Sequence, residues 1–401
     1  HSATGAWSQE ISLLSSSRSP HSMTMAHTSP LALWKWLHGT AHHLEKRWDT
    51  WRFQRRRRLG RIESVHIVPF LGYGNASKAV LGGRVLEKKP LGRPHEDTPW
   101  WENVRAMIQR WASAEIPHVR LAARCNGQVL ETTTDEEGYF TVEFALQERP
   151  VRGPGWHQVE IELLDAVVPG QEAVTATGQI LIPPAQPDFM IVSDIDDTIL
   201  KTYATDFFRM VRVTLLNNVH TRIPFAGVSA FYQALHQGPH GTSQNPLFYI
   251  SSSAWNLYDL LLDFLDLHQI PRGPLLLRDL GIDESQFIKT GHEHKLEKLE
   301  QLLHFYPASR FILIGDSGQH DPRLYTEAVR RYPGRILAIY IRDVHPVNRA
   351  STVAYARQAE ALGTPLRLVS DTVEAAQHAA QQGLIRWPEV PSVRQKQVEA
   401  R

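Results

Sequence analysis

The chain has 401 residues, of which 42% are hydrophobic and 21% are charged, and its formal net charge is +1. This composition excludes a globally disordered chain, and the length predicts two domains, each with a sizeable core. We find no run of about 18 or more apolar residues, so the sequence predicts no transmembrane helix. The single cysteine, Cys125, excludes an internal disulfide and a cysteine-based zinc site, and it fits a reducing, cytoplasmic compartment.

The first 61 residues separate into a leader and a basic helix. Residues 1–29 are rich in serine and lack the pattern of a signal peptide, so we expect a disordered leader. In residues 30–61, apolar side chains at alternating spacings of three and four predict one stripe of a helix: Trp34, Leu37, Ala41, Leu44, Trp48 and Trp51. Residues 46–61 contain eight Lys or Arg and one Asp, which leaves a net charge of −6 for the rest of the chain.

Two interpretations of this basic helix remain open. It makes a peripheral contact with an anionic membrane, or it docks on the protein's own surface as most apolar stripes do. We expect no nucleic-acid partner, because the basic block is short and no nucleic-acid-binding motif accompanies it.

Residues 62–184 contain short segments of alternating polarity separated by turn signals such as Asn126-Gly127. This pattern predicts an antiparallel β-sandwich of about seven strands. The stretch Thr134-Asp-Glu-Glu-Gly-Tyr-Phe140 is similar to a hairpin of transthyretin-like and other Ig-like sandwiches. The apolar spacing between Trp100 and Trp111 predicts a helix inserted between two strands.

A proline-rich linker, residues 183–187, separates this domain from a second one at 188–386. In the second domain helical and strand patterns alternate, which predicts an α/β domain with a parallel sheet and right-handed crossovers. We expect residues 387–401 to be a polar tail.

The strongest chemical signal is a group of carboxylates behind an apolar strand. Met190, Ile191 and Val192 have the branching of a buried parallel strand, and ligands bind where such strands end. Asp194 and Asp196, two residues apart, can point to one side and would then repel each other unless a cation or a shared proton held them together. Mg²⁺, which prefers oxygen ligands, is the cofactor that we predict.

The pattern Asp194-x-Asp196-x-Thr198 resembles the first motif of the haloacid-dehalogenase-like phosphatases. Three further stretches follow in that family's order: Phe248-Tyr249-Ile250-Ser251, Lys295, and Gly315-Asp316-Ser317-Gly318-Gln319-His320-Asp321. A narrower resemblance rests on Asp194-Ile195-Asp196-Asp197-Thr198, Ser251-Ser252-Ser253-Ala254-Trp255-Asn256-Leu257-Tyr258-Asp259, and Gly315-Asp316-Ser317-Gly318 with Asp321-Pro322. With these stretches, residues 188–386 are similar to the catalytic domain of the App1-like phosphatidate phosphatases. The resemblance implies a Rossmann-like catalytic domain preceded by the β-sandwich.

The resemblance also implies roles for individual residues. Asp194 would be the nucleophile and a metal ligand, and Asp196 would be a metal ligand, the acid for the leaving group and then the base for water. Thr198 would hold Asp196 or its loop in place. The phosphoryl oxygens would be bound by Ser251 and Lys295. Lys289 and Lys298 compete with Lys295 for this position, which Lys295 fits best because it starts a predicted helix. Asp316 and Asp321 would also bind the metal, and Asp321 would in addition orient its neighbours. Ser252 and Arg222 would bind the substrate.

The predicted function is Mg²⁺-dependent hydrolysis of a phosphate monoester through an aspartyl-phosphate. The family resemblance implies phosphatidate as the substrate and diacylglycerol as the product. Two alternatives remain, a phosphatase of soluble metabolites with the same chemistry and a non-enzymatic lipid-binding protein that carries a vestigial site.

Overall fold

The computed structural model of the protein describes residues 62, 64–87, 115–146, 153–195, 227–278 and 293–399. All of them lie in one compact unit, Trp48–Arg401. The predicted leader, the basic helix and the inserted helix at 100–111 lie outside the described residues. Across the ranges given above, no helix is both long enough and apolar enough to cross a bilayer.

The first part of the described chain is a sheet of eight strands. They are β1 (Val65–Pro69), β2 (Gly72–Gly74), β3 (Lys78–Glu87), β4 (Arg120–Cys125), β5 (Gln128–Thr133), β6 (Tyr139–Ala145), β7 (Gly155–Leu163) and β8 (Thr175–Ile182). The strand order is β1-β3-β2-β8-β7-β4-β5, and β6 pairs with β3. The pairings are antiparallel except that of β2 with β8.

Residues from β3, β4, β6 and β7 share one apolar core, in which Leu81, Leu121, Phe144 and Ile161 are buried. These side chains follow the period of two that the sequence predicts, because alternate residues of a strand face the same side. Eight strands are present where we expected about seven. The sequence pattern indicated neither β2, which has only three residues, nor β5, which alternates between half-buried and exposed residues and so has a weak hydrophobic signal.

The second sheet has six parallel strands. They are β9 (Met190–Asp194), β10 (Leu247–Ala254), β11 (Leu275–Arg278), β12 (Phe311–Asp316), β13 (Ile336–Arg342) and β14 (Leu366–Val369). The strand order is β11-β10-β9-β12-β13-β14. Every residue of β9 and β12 is buried, as expected for central parallel strands covered on both faces.

Seven helices accompany this sheet in the described residues. They are α1 (Val228–Gln237), α2 (Tyr258–Leu267), α3 (Glu293–Phe305), α4 (Asp321–Arg331), α5 (Arg349–Ala361), α6 (Thr372–Gln381) and α7 (Glu389–Glu399). Residues of α1, α2, α6 and α7 join one apolar core. Residues of α3, α4 and α5 join another, and alternate residues of the strands contribute to the two cores. The chain is therefore a mixed α/β protein with two sheets.

The end of the chain differs from the polar tail that we expected at residues 387–401. Residues Glu389–Glu399 form α7, which buries Val390 and Val393 against the core. Most residues of this helix are polar and exposed, so its sequence shows no clear apolar face. Its apolar contact with the core is made by the two buried valines. The sequence analysis also missed α6, although Asp371 and Glu374 form its N-terminal cap: the Asp371 side chain accepts the backbone N–H of Glu374.

Two valines of α7 provide a test of this packing. Val393 is fully buried, whereas Val398 is 67% exposed. Val393→Asp should lower the free energy of unfolding by about 3 kcal/mol or more, because it buries an unpaired charge. The same change at Val398 should alter it by no more than about 0.5 kcal/mol. Urea unfolding of both variants measures the difference, and equal stabilities would show that α7 does not pack on the core.

Candidate active site

The candidate site lies where the order of the parallel strands reverses. By position in the chain, the six strands are arranged 3-2-1-4-5-6, so β9 and β12 are neighbours, and the next described helices after them, α1 and α4, pack in different cores. Connections that leave toward opposite faces open a crevice at the carboxyl ends of the two strands. Asp194 is the last residue of β9 and Asp316 is the last residue of β12. Both carboxylates therefore lie at the place where this kind of sheet binds ligands.

Three carboxylates and one ammonium group meet in this crevice. Asp194, Asp316 and Asp321 are buried, and each offers a carboxylate oxygen that lies within 4.8 Å of the others. Lys295, on α3, is 2% exposed. Its Nζ lies 2.7 Å from Oδ1 of Asp194 and 3.0 Å from Oδ1 of Asp321. The lysine thus bridges two of the three carboxylates.

The charges of this group do not balance when all four side chains are ionised. One ammonium offsets one of three buried negative charges, so two further negative charges repel each other at close range unless another positive charge is bound. The three carboxylates offer only oxygen atoms, which suit a hard divalent cation better than a soft one. The residues present therefore fit a metal ion in the crevice.

Backbone amides hold Asp316 in place. The N–H groups of Gly318 and Gln319 donate to Oδ1 of Asp316 at 2.6 and 3.1 Å. The N–H of Asp316 in turn donates to Oδ2 of Asp321 at 3.2 Å. Asp321 is the first residue of α4, where the helix dipole favours a negative charge. The turn between β12 and α4 thus orients both carboxylates.

Ser317 ties this turn to the neighbouring strand connection. Its Oγ accepts the backbone N–H groups of Val344 and His345 at 3.0 and 3.1 Å, and its carbonyl oxygen accepts Nδ2 of Asn348 at 2.7 Å. The sequence analysis quoted Ser317 as part of a motif but assigned it no role. These contacts join the segment after β12 to the segment after β13, about 30 residues further along the chain.

Gly315 is required by the close approach of Asp321. A Cβ atom at position 315 would lie 2.4 Å from Oδ2 of Asp321 and 2.9 Å from its Cβ. It would also lie 2.9 Å from Cε2 of Tyr325. The absence of a side chain at Gly315 therefore allows Asp321 to reach Lys295.

Tyr325 is a further part of the site that the sequence analysis missed. Burial raises the pKa of its hydroxyl well above the usual value, and the nearby carboxylates of Asp321, Asp194 and Asp316 raise it further. The hydroxyl therefore stays neutral and donates to the carbonyl oxygen of Ile314 at 3.2 Å. Tyr325 lies four residues after Asp321 on α4, and this spacing on one helix face could have identified it.

The structure brings Ser251 beside the carboxylates. Ile250 of β10 pairs with Asp194 of β9, so Ser251 follows directly on the adjacent strand. Ser251 is buried, and its Oγ accepts the N–H of Ser253 at 2.9 Å. Ser252 is half-buried at the same strand end.

Other predicted site residues cannot be placed. Asp196, Thr198 and Arg222 lie outside the described residues, as does Lys289, one competitor for the position of Lys295. Lys298, the other competitor, is half-buried and lies one helical turn beyond Lys295. The roles of all these residues stay predictions.

Comparison with known proteins finds relatives of the second part of the chain. Residues 189–343 match the family described as phosphatidate phosphatase APP1, catalytic domain. The chain is 34% identical over 154 residues to the phosphatidate phosphatase APP1 of Saccharomyces cerevisiae, which covers 38% of this chain and 25% of that protein. It is 27% identical over 215 residues to an uncharacterized protein of Schizosaccharomyces pombe, covering 53% of this chain and 34% of the other.

The chain thus spans about a quarter and about a third of the lengths of these two relatives. A solved structure, a carbohydrate acetylesterase from Xanthomonas citri, aligns over 74% of this chain and 75% of that one with 12% identity and a TM-score of 0.26. A score this low supports no inference about the present chain. The App1-like resemblance predicted from the motifs is confirmed for residues 189–343.

Substitution of Gly315 tests the geometry of the carboxylate group. Gly315→Ala should push Asp321 away from Lys295 and lower the free energy of unfolding by about 1–3 kcal/mol, because the added methyl group overpacks a rigid site. Gly82→Ala is a matched control, since its Cβ would lie no closer than 3.5 Å to another atom. Urea unfolding measures both. A Gly315→Ala protein as stable as the control would mean that Asp321 is not held against this glycine.

Proposed function

Because residues 189–343 are App1-like, we propose that the protein is a phosphoric monoester hydrolase that acts on phosphatidate and releases diacylglycerol and inorganic phosphate. The observation that carries this proposal is the buried group of Asp194, Asp316, Asp321 and Lys295 at the strand-order reversal. A group of this kind can bind a phosphate ester only if positive charge offsets both the carboxylates and the phosphate.

In the proposed mechanism, an oxygen of Asp194 attacks phosphorus. A bond forms between that oxygen and phosphorus while the bond from phosphorus to the leaving alkoxide breaks, which gives an aspartyl-phosphate. Asp196 donates a proton to the leaving oxygen. It then accepts a proton from a water molecule that attacks phosphorus, and inorganic phosphate leaves as the carboxylate of Asp194 is regenerated.

Lys295 has two parts in this proposal. Its ammonium group, 2.7 Å from Asp194, lowers the cost of burying a carboxylate beside two others. It also supplies a fixed positive charge where negative charge develops on the phosphoryl oxygens. Asp321 keeps the ammonium in place through its 3.0 Å contact. We therefore assign Asp321 mainly to orienting the lysine, and secondarily to binding the metal.

The proposed cofactor is Mg²⁺, held by Asp194, Asp196 and Asp316 with Asp321 nearby. When bound, it would neutralise phosphate charge and orient the ester for attack. Ser251 and Ser252 would donate hydrogen bonds to the phosphoryl oxygens, Thr198 would hold the Asp196 loop, and Arg222 would contact the phosphate or headgroup.

Finer features of the fold belong to the same proposal. The strand order 3-2-1-4-5-6, with helices in both cores, supports a Rossmann-like domain of the haloacid-dehalogenase-like type for residues 188–386. The antiparallel ladders and the shared core of the first eight strands support an Ig-like or transthyretin-like β-sandwich for residues 62–184.

Substrate class is the first point to test. We expect phosphate release from phosphatidate in mixed micelles that depends on Mg²⁺ and stops on chelation, with much slower release from sugar phosphates and nucleotides. Mg²⁺ should also raise the melting temperature, because a cation that binds only the folded state stabilises it. Preference for a soluble ester would favour the metabolite phosphatase. A thermal shift without any hydrolysis would favour a vestigial site.

The nucleophile is tested by Asp194→Asn. The amide has nearly the shape of the carboxylate but cannot form an acyl-phosphate, so turnover should fall by about 10³-fold or more while the melting temperature changes little. Asp188→Asn is the matched control, because Asp188 precedes the same strand at its opposite end. The control should retain wild-type turnover. Comparable turnover by the two variants would exclude Asp194 as the nucleophile.

A further inference from the structure

The stretch Ser251–Ser253 lies where the regular strand pairing of β10 stops. The paired residues of β10 and β9 end at Ile250 and Asp194. On the other side, the register of β10 against β11 shifts between Ile250 and Ala254. Regular ladders hold strand residues in place through hydrogen bonds on both sides. Residues that pack against the end of β10 can therefore also influence the geometry of Ser251–Ser253.

The first sheet supplies a contact at the end of this stretch. Phe70, which follows β1, is buried in the core of the α/β part of the chain. Its ring stacks on that of Trp255, with centroids 4.1 Å apart and an interplanar angle of 18°. Trp255 is the first residue after β10, four residues beyond Ser251. A stacked pair of aromatic rings contributes about 0.5–1.5 kcal/mol beyond its buried area.

Tyr258 closes the same cluster. Its ring centroid lies 4.6 Å from that of Phe70 and 5.8 Å from that of Trp255. Its hydroxyl accepts the backbone N–H of Leu71 at 2.5 Å, and burial raises the pKa of this hydroxyl so that it stays neutral. Side chains of the α/β part are thus fixed to both the side chain and the backbone of the β1–β2 connection.

Contacts from the adjoining strand β2 and from Asn75, the residue after it, reach a second region of the α/β part. Nδ2 of Asn75 donates to the carbonyl oxygen of Phe305 at 2.9 Å, and the hydroxyl of Tyr306 donates to that of Gly74 at 3.0 Å. The ring of Tyr73 packs edge-on against Phe248 of β10, with centroids 5.8 Å apart. Because the connection and the adjoining strand β2 are both held against the α/β part, we expect Phe70 to keep its position when Trp255 moves.

We propose that the β1–β2 connection of the first sheet is a positioning element of the active site, and that Phe70 acts through Trp255 to fix Ser251–Ser253. This inference rests on the proposed function, in which these serines bind the phosphoryl oxygens. Under this inference the first sheet affects catalysis by positioning the serines, although none of its described residues is assigned a catalytic role.

The test compares the same substitution at two buried phenylalanines of the first sheet. Phe70→Leu removes the ring that stacks on Trp255. Phe144→Leu is the matched control, because Phe144 is fully buried in the core of the first sheet itself. The two variants should lose similar stability, since each deletes part of a buried ring. A general loss of stability would therefore affect both in the same way.

The first measurement is hydrogen exchange of the full-length proteins. Amides of residues 250–256 should exchange roughly tenfold faster in Phe70→Leu than in wild type, and at the wild-type rate in Phe144→Leu. The second is kinetics with p-nitrophenyl phosphate. Phe70→Leu should lower kcat roughly tenfold and raise the inhibition constant of inorganic phosphate, because the phosphate-binding serines are less well ordered. Trp255→Phe, which keeps an aromatic ring, should restore most of the activity that Trp255→Leu loses.

Equal exchange rates and equal kinetics in the two phenylalanine variants would overturn the positioning role. A wild-type protein that hydrolyses no phosphate ester would overturn the proposed function instead. The exchange measurement would still decide whether Phe70 fixes the strand end, because it does not depend on turnover.

Discussion

The site depends on the burial of three carboxylates around one ammonium group. Asp194, Asp316 and Asp321 stay close together only because Lys295 bridges two of them and backbone amides bind the third. Each buried charge that loses its partner would cost several kcal/mol, so the scaffold must hold all four groups together. The fully buried central strands, Gly315 and the start of α4 meet this requirement. The remaining negative charge makes the crevice suited to a cation, and in the proposed function that cation would offset the charge of the phosphate ester.

The scaffold draws on both sheets. The parallel sheet places Asp194 and Asp316 on adjacent strands at the point where the strand order reverses. The first sheet packs its β1–β2 connection against the residue that follows β10, so the two parts share an apolar core through Phe70. In our proposal, this packing lets the first sheet affect the geometry of the site. It also means that the catalytic part of the chain is not expected to keep its full geometry when the first sheet is removed.

Much of this architecture could be predicted from local patterns. Apolar runs indicated β9 and β12, and the carboxylates that follow β9 indicated Asp194, because both signals lie within a few residues. Asp316 was predicted from the family resemblance. Helix α7 and strand β14 were missed, since most of α7 is polar and β14 has only four residues. Contacts between distant segments could not be predicted at all. Phe70 and Trp255 are 185 residues apart, and neither has a sequence feature that marks the other as its partner.

The central claim is that Asp194 carries the phosphoryl group during turnover. The most direct measurement is to mix the protein with substrate and Mg²⁺, quench in the steady state, and reduce the acyl-phosphate with borohydride before peptide mapping. If the proposed mechanism is right, residue 194 is converted to homoserine in wild type, and no such product forms without substrate. Rapid phosphate release with unmodified Asp194, or with the label on another side chain, would contradict it.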